Sequence, residues 1–180
     1  TFVIETSNTR IRGRKDIEHL TLPFLGEIPE AGTASGRKNK KNDHSINTLI
    51  VKEGKRDIIN EAFRVLRTNV EFMRNNSGTG NVIAVTSFNP GSGKSFVSVN
   101  LAMTMALKGK RVLVIDGDMR HGSTSAYIGS PQEGIANYLA NPGTHLHDII
   151  VQDAENPLLD ILPVGVVPPN PTELLESPRF

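Results

Sequence analysis

The stretch SFNPGSGKS occupies residues 87–95 and follows the apolar run VIAV at residues 82–85. Gly91 and Gly93 allow the backbone to turn its N–H groups inward, in conformations that side chains would obstruct. A strand that leads through such a loop into a helix is an arrangement in which proteins hold phosphate groups. The stretch therefore predicts a phosphate-binding loop in an α/β fold, although Phe88 stands where the strict pattern has its first glycine.

The residues that close this loop are of the types that contact a nucleotide. Lys94 is placed to reach the outer phosphates, and the Ser95 hydroxyl is placed to ligate Mg2+. The segment from Ser95 to Leu107 is dense in apolar residues and predicts a buried helix. The N-terminus of that helix adds a favourable partial positive charge for an anion. The loop and its helix therefore predict a bound nucleotide with a magnesium ion.

A second apolar run, RVLVI at residues 111–115, leads into the sequence DGDMR at residues 116–120. Its β-branched residues predict a central parallel strand buried on both faces, and ligand sites lie at the carboxyl ends of such strands. In an extended segment Asp116 and Asp118 point the same way. Two carboxylates there can bind the metal, directly or through water, and one can accept a proton. Arg120 is expected to offset their repulsion or to contact a phosphate.

The composition limits the classes of protein to which the chain can belong. Of the 180 residues 37% are hydrophobic and 22% are charged, which are ordinary values for one globular domain. A formal net charge of +1 argues against binding nucleic acid through bulk electrostatics. The chain has no cysteine, which excludes disulfides and thiolate metal sites. It begins at Thr1 without a methionine or a signal-peptide pattern, so we expect a piece of a longer protein.

Hydrophobic periodicity predicts the remaining elements of a parallel α/β sheet flanked by helices. An amphipathic helix is predicted at residues 56–75. A further core strand is predicted at residues 159–164. Short helices are predicted at residues 135–139 and 172–175, the second capped by Asn170 or Thr172. A short strand or an extended segment is predicted at residues 22–29, and a solvated basic loop at residues 31–47.

The helix at residues 56–75 has two different faces. Its apolar stripe consists of Ile58, Ile59, Ala62, Phe63, Leu66, Val70 and Met73. Glu61, Arg64 and Arg67 fall together on the opposite face. From the residues alone, these three charges indicate a solvated face with one Glu–Arg pair, which is worth about 0.3 kcal/mol.

With these motifs in view, the chain resembles the cytoplasmic kinase domain of the bacterial tyrosine kinases (BY-kinases). These kinases work with membrane proteins that control the chain length of capsules and exopolysaccharides. EAFRVLR at residues 61–67 fits the family's E-x-x-R-x-x-R motif, residues 86–95 resemble its Walker A loop, and residues 114–120 resemble its Walker A′ motif. Residues 162–175 resemble its Pro-Asn-Pro segment. Residues 22–29 resemble the stretch that follows its second membrane span.

The resemblance implies a P-loop tyrosine kinase that phosphorylates itself on tyrosine with MgATP. Carried over by position, Lys94, Asp116 and Asp118 are the expected catalytic residues, and Ser95 and Asp116 are the expected ligands of Mg2+. The base that helps to deprotonate the incoming tyrosine is either Asp116 or Asp118. The expected contacts of ATP or ADP are Asn89, Pro90, Gly91, Ser92, Gly93, Lys94, Ser95, Phe96 and Arg120.

The resemblance also implies partners and a location. Glu61, Arg64 and Arg67 are expected at a subunit interface of a homo-oligomeric ring, in which C-terminal tyrosines of one subunit enter the site of its neighbour. The other expected partners are the membrane region of a polysaccharide co-polymerase and a cognate tyrosine phosphatase, with no nucleic acid. The expected location is the cytoplasmic side of a bacterial inner membrane.

The resemblance divides the chain and leaves part of the family pattern outside it. Residues 1–47 are expected to be a juxtamembrane-like segment that packs on the kinase domain, and residues 48–180 to be the kinase domain itself. We expect the Walker B strand, an apolar run ending in Asp, and a tyrosine-rich tail beyond Phe180. Tyr127 and Tyr138 are the only tyrosines in the sequence, and neither lies in a tail.

Two other classes of protein fit a phosphate-binding loop. P-loop ATPases that partition DNA or position the division machinery typically carry a signature lysine five residues before the loop lysine, where this chain has Asn89. A nucleotide-gated scaffold without kinase activity would use the same loop to control ring assembly in polysaccharide export. The sequence leaves this second alternative open.

Overall fold

The computed structural model describes residues 13–17, 20–29, 49–77 and 82–180, and the predicted basic loop lies outside them. Helices pack against a small sheet, so the fold is α/β as predicted, and each predicted helix forms with slightly shifted bounds. The helices are α1 (Ile58–Ser77), α2 (Lys94–Ala106), α3 (Ile135–Ala140), α4 (Leu146–Ile149) and α5 (Pro171–Leu175). The strands are β1 (Val112–Ile115), β2 (Val151–Gln152) and β3 (Leu159–Leu162), and 3-10 turns lie at Arg14–Ile17 and Ser125–Ile128.

The three strands lie in the order β1-β3-β2. β1 and β3 are parallel, with Val112 opposite Leu159 and Ile115 opposite Leu162. β2 runs antiparallel to β3, so the prediction of a parallel sheet is correct for β1 and β3 and wrong for β2. The parallel pair brings the loops that follow β1 and β3 to the same edge of the sheet, which is where such sheets bind ligands.

Two predicted core strands differ from the structure. The run at residues 82–85 forms no strand, and Val82 is 93% exposed. β1 lies at an edge of the sheet, and its Leu113 and Ile115 are exposed rather than buried between two layers. An apolar run becomes a buried strand only where a neighbouring strand takes its backbone hydrogen bonds. The described residues supply no such neighbour on the outer side of β1.

Helix α1 confirms the predicted amphipathic helix and packs against α2. Phe63 is fully buried, and its ring meets the ring of Phe96 edge to face, with 5.7 Å between the centroids. Ile58 and Met73, at the ends of the predicted stripe, are exposed. The stripe is therefore buried only along its middle, where α2 covers it.

Two buried asparagines hold the segment before α1 against the helices. The side-chain oxygen of Asn100 accepts hydrogen bonds from the N–H groups of Ile50 and Val51 at 3.0 and 3.1 Å. The side-chain oxygen of Asn60 accepts one from the N–H group of Lys52 at 3.1 Å. Buried polar groups need such partners, so these bonds fix one register for the segment and the start of α1 relative to α2.

The chain after β3 passes directly beneath the start of α3. The N–H groups of Ile135 and Ala136 donate to the carbonyl oxygens of Pro163 and Val164 at 2.8 and 3.0 Å. Gly134 permits this approach, because a Cβ atom at that position would stand 2.3 Å from the carbonyl oxygen of Pro163. This contact sets the direction of the proline-rich segment that follows β3.

The segment at residues 22–29 lies along helix α1 without joining the sheet. Leu25 and Ile28 pack against the core, and the Asn69 amide donates to the carbonyl oxygen of Leu25 at 2.7 Å. The predicted short strand does not form, because residues 22–29 have no regular secondary structure.

Candidate functional site

The predicted phosphate-binding loop is a tight turn that leads into α2. Gly91 and Gly93 have φ angles of 76° and 86°, in the left-handed region that residues with side chains rarely adopt. The Ser92 hydroxyl donates to the carbonyl oxygen of Asn89 at 2.8 Å and closes the turn. Phe88 is 100% exposed. A side chain is tolerated at this motif position because it points into solvent.

The N-terminus of α2 lies at the end of this loop. The helix begins after Gly93, whose carbonyl oxygen accepts from the N–H group of Val97 at 2.9 Å. The N–H groups of the first turn have no partner within the helix and favour an anion. Ser95 lies in that turn and is half-buried. Phe96 packs its ring against Phe63 in the core, so only its backbone remains for a nucleotide.

Lys94 and Asp118 connect the loop to the aspartate pair. The Lys94 Nζ atom lies 2.9 Å from Asp118 Oδ2, and both side chains are partly buried. The Nδ1 atom of His121 lies 3.2 Å from the other oxygen of Asp118. Burial alone would raise the pKa of Asp118, but the hydrogen bonds and charges of Lys94 and His121 outweigh it and hold that pKa below its ordinary value. Asp118 is therefore ionised at neutral pH.

Asp116 lies in a different environment, with 2% of its surface exposed. Its Oδ2 atom accepts hydrogen bonds from the backbone N–H and the hydroxyl of Ser125 at 2.8 and 2.7 Å. Its Oδ1 atom accepts one from the N–H group of Asp118 at 3.2 Å. This contact turns the chain directly after β1. The prediction that Asp116 and Asp118 point the same way requires an extended backbone, which this turn replaces. Over the described ranges, the two carboxylates have no side-chain partner in common.

Arg120 lines a surface cavity of about 550 Å³. The proline-rich segment at residues 167–173 forms the rest of its wall. The N–H group of Arg120 donates to Asp118 Oδ1 at 3.4 Å, so one residue of the cavity wall is hydrogen-bonded to the Asp118 carboxylate. The site thus has a phosphate-binding loop, a carboxylate and a cavity that presents both a guanidinium group and apolar proline rings.

The charged motif at residues 61–67 lies on α1 rather than in this loop. Arg64 is ion-paired with Glu61 and also donates to the carbonyl oxygen of Lys55 at 2.7 Å. Arg67 is half-buried, and its Nε atom has no hydrogen-bond partner within the described ranges. The prediction of one solvated face therefore fits Glu61 and Arg64 better than Arg67.

Both tyrosines of the chain take part in packing. Tyr127 is half-buried, and this burial raises its pKa. The guanidinium group of Arg179 lies 4.1 Å from the centre of the Tyr138 ring, a distance typical of cation–π contacts.

Known proteins share this combination of loop and sheet. Residues 80–167 match the family model described as an AAA domain. Over 182 residues the chain is 35% identical to the putative tyrosine-protein kinase EpsB of Ralstonia nicotianae. This alignment covers 99% of this chain and 24% of EpsB. Over 141 residues it is 35% identical to the putative tyrosine-protein kinase CapB of Staphylococcus aureus. That alignment covers 78% of this chain and 60% of CapB. The kinase domain of the Escherichia coli tyrosine kinase ETK matches with a TM-score of 0.76 and 31% identity, over 92% of this chain and 64% of that chain.

The chain belongs to the bacterial tyrosine kinase family. Two predictions are confirmed: the family resemblance inferred from the motifs, and the P-loop α/β fold. The interpretation as a DNA-partition ATPase gains no support from these relatives. The chain spans about a quarter of EpsB and 60% of CapB. Within the ranges that the structure describes, none of the helices combines the length and apolar character needed to cross a membrane.

The sequence did not predict two side chains that contact the aspartates of the candidate site, His121 and Ser125. His121 follows Asp118 by three residues, a spacing that allows contact within a turn, but a single histidine carries no motif signal. Ser125 follows Asp116 by nine residues. Nothing in the local pattern indicates that the chain returns to the end of β1 at this serine.

Proposed function

We propose that this chain is the nucleotide-binding part of a kinase that uses MgATP to phosphorylate its own tyrosines. The ion pair of Lys94 and Asp118 is the observation that carries the proposal, because it joins the phosphate-binding loop to a carboxylate at 2.9 Å. A nucleotide in the loop would meet a cation and a candidate base in one site. The relatives EpsB and CapB are putative tyrosine-protein kinases, which supports the same activity.

Most residues of the site would hold phosphate, and one, Asp118, would accept the proton of the tyrosine. The loop N–H groups and the N-terminus of α2 would receive the phosphates. Lys94 would leave Asp118 for the outer phosphate, because a triphosphate carries more negative charge than one carboxylate. Asp118 would keep its contact with His121 and could then accept the proton of a phenol. Arg120 is placed on the cavity side, where it can contact a phosphate or the incoming segment.

The oxygen atoms of the site fit Mg2+. The Ser95 hydroxyl lies in the first turn of α2. Among the described residues, Oδ1 of Asp116 accepts one hydrogen bond, which leaves a lone pair for an ion. Hydroxyl, carboxylate and phosphate oxygens are the ligands that hard divalent cations prefer. When bound, the ion would neutralise negative charge on the transferred phosphoryl group.

We place the acceptor tyrosines outside this segment. Tyr127 and Tyr138 are half-buried within the fold, and both rings are engaged there. We propose that the phenol that reacts reaches Asp118 past Arg120, which lines the neighbouring surface cavity. A tyrosine-rich tail of a neighbouring subunit meets this requirement.

Family membership also supports a biological setting for the kinase. We propose that it controls capsule or exopolysaccharide synthesis and export from the cytoplasmic side of a bacterial inner membrane. Its partners there would be the membrane region of a polysaccharide co-polymerase and a phosphatase that removes the phosphate from its tyrosines.

A direct test uses the full-length gene product with γ-labelled ATP, followed by phosphoamino-acid analysis. We expect the label on tyrosine, with transfer that requires Mg2+. Label on serine or threonine, or ATP binding without any transfer, would contradict the kinase proposal. ATP binding without transfer would favour the nucleotide-gated scaffold instead.

We further propose that the motif at residues 61–67 lies in the contact between subunits of a ring. Exposed apolar side chains lie beside Glu61 on the same stripe of α1, since Val65 and Phe72 follow it by four and eleven residues. Val65 is 53% exposed and Phe72 67% exposed. Apolar side chains among ionised ones on one helix face fit a protein interface better than a purely solvated surface.

Replacing Glu61, Arg64 and Arg67 together with alanine should shift the full-length protein toward smaller species in analytical ultracentrifugation. The reason is that the variant loses the charged contacts between subunits, beside which Val65 and Phe72 would lie. A control variant with Glu53, Lys108 and Arg111 replaced by alanine removes the same charges from other exposed positions. An unchanged mass distribution in the first variant, or an equal shift in both, would argue against this interface.

A further inference from the structure

The carboxylate of Asp116 is held by a serine that no motif contains. Ser125 opens the 3-10 turn after the Walker A′ segment and is itself buried. Its backbone N–H and its hydroxyl both donate to Asp116 Oδ2, at 2.8 and 2.7 Å. Two hydrogen bonds from one residue to one oxygen fix both the position and the rotation of that carboxylate.

The same hydroxyl also receives a hydrogen bond from the segment that follows β3. The N–H group of Val164 lies 2.9 Å from Ser125 Oγ, and Val164 is fully buried. A backbone N–H can only donate, so Ser125 Oγ accepts there and its single proton is directed to Asp116. Ser125 therefore connects the segment after β3 to the aspartate after β1 by two buried hydrogen bonds.

The hydrogen bonds from Ser125 limit how many lone pairs Asp116 can offer to another ligand. Oδ2 of Asp116 accepts two hydrogen bonds from Ser125 and has no lone pair left for another ligand. Oδ1 accepts one hydrogen bond within the part of the chain that the structure describes, from the N–H group of Asp118. Asp116 can thus offer one lone pair of one oxygen, in an orientation that Ser125 sets.

We propose that Ser125 is the positioning residue that makes Asp116 a one-oxygen partner of the nucleotide-bound Mg2+, directly or through a water. Ser125 acts only through Asp116, and the inference rests on the nucleotide site proposed above. Partners that orient a metal-binding carboxylate change metal affinity by roughly 10- to 100-fold when they are removed. The hydroxyl of Ser125 is such a partner.

The test compares ATP binding with and without Mg2+ in the full-length protein, using a fluorescent ATP analogue. We expect Ser125→Ala to bind the analogue in EDTA within about twofold of wild type, because the loop and Lys94 are intact. The Mg2+ concentration that gives half of the metal-dependent gain in affinity should rise about 10-fold or more. Ser125→Thr, which keeps the hydroxyl, should restore it to within about threefold.

The controls separate positioning from a general effect on folding. Ser123→Ala removes a nearby hydroxyl that makes no hydrogen bond to Asp116, and it should leave the Mg2+ midpoint unchanged. If Ser125→Ala does not fold, Ser125→Cys carries the comparison, because its thiol keeps the size and is a weak donor. Equal loss of binding with and without Mg2+, or a wild-type Mg2+ midpoint in the folded variant, would overturn the role of Ser125. Absence of ATP binding in the wild-type protein would instead overturn the nucleotide site itself, and the Ser125 role with it.

Discussion

Replacing Lys94 with methionine should lower tyrosine phosphorylation by the full-length kinase about 100- to 1,000-fold, as expected when one charged group that stabilises the transferred phosphoryl is lost. Methionine keeps most of the length and packing of the side chain but removes the charge that would meet the outer phosphate. The measurement is the initial rate of label transfer from γ-labelled ATP at saturating MgATP. Full phosphotyrosine signal in this variant would show that the site has been assigned to the wrong residues.

A matched control is available on the same chain. Lys108 lies just beyond the other end of α2 and is exposed, so Lys108→Met makes the same chemical change away from the loop. It should leave both the rate of transfer and ATP affinity close to wild type. A comparable loss of transfer in this control would point to a general effect of lysine replacement.

A second variant, Asp118→Asn, separates the two functions of the ion pair. Lys94→Met should weaken binding of MgATP, because a phosphate contact is lost. Asp118→Asn should leave binding unchanged or tighten it up to about fivefold, because Lys94 no longer has to leave a partner and a negative charge near the phosphates is gone. Transfer should nevertheless fall steeply in Asp118→Asn. Binding weakened to the same degree in both variants would indicate that Asp118 helps to hold the nucleotide.

The fold was predictable where local pattern decides structure. The apolar stripe of α1 keeps a helical period over about four turns. The glycines of residues 87–95 favour a tight turn. Both features therefore follow from neighbouring residues. The run at residues 82–85 has the composition of a buried strand, yet its state depends on which strand lies beside it. The same limit applies to β1, whose outer edge no described strand covers. Pairing partners are distant in sequence and leave no local signal.

The site was predictable in its residue types and only partly in its geometry. Sequence spacing predicted that Asp116 and Asp118 share one orientation, but this holds only while the backbone stays extended. The N–H group of Asp118 donates to Asp116 Oδ1 instead, and the chain turns. The ion pair of Lys94 with Asp118 spans 24 residues, and the contact of Ser125 with Asp116 depends on where a loop returns. Neither distance could be derived from a motif.

Replacing Gly134 with alanine should destabilise the domain by about 3 kcal/mol or more, the upper range for forcing an extra methyl group into a packed site. A Cβ atom there would stand 2.3 Å from the Pro163 carbonyl oxygen and 2.4 Å from the carbonyl carbon of Val164. These are backbone atoms that cannot rotate away, so the start of α3 and the chain after β3 must separate. The measurement is the free energy of unfolding from urea denaturation followed by circular dichroism.

Gly143→Ala is the control, because its Cβ would stand 3.4 Å from the nearest atom, a side-chain oxygen of Asn141. That variant should change the free energy of unfolding by less than about 1 kcal/mol.

The effect of Gly134→Ala should also reach the nucleotide site, since the Val164 N–H group that it displaces donates to Ser125 Oγ. Any folded fraction of the variant should therefore need more Mg2+ for tight ATP binding. A Gly134→Ala variant as stable as Gly143→Ala would mean that α3 and the chain after β3 do not approach as closely as described.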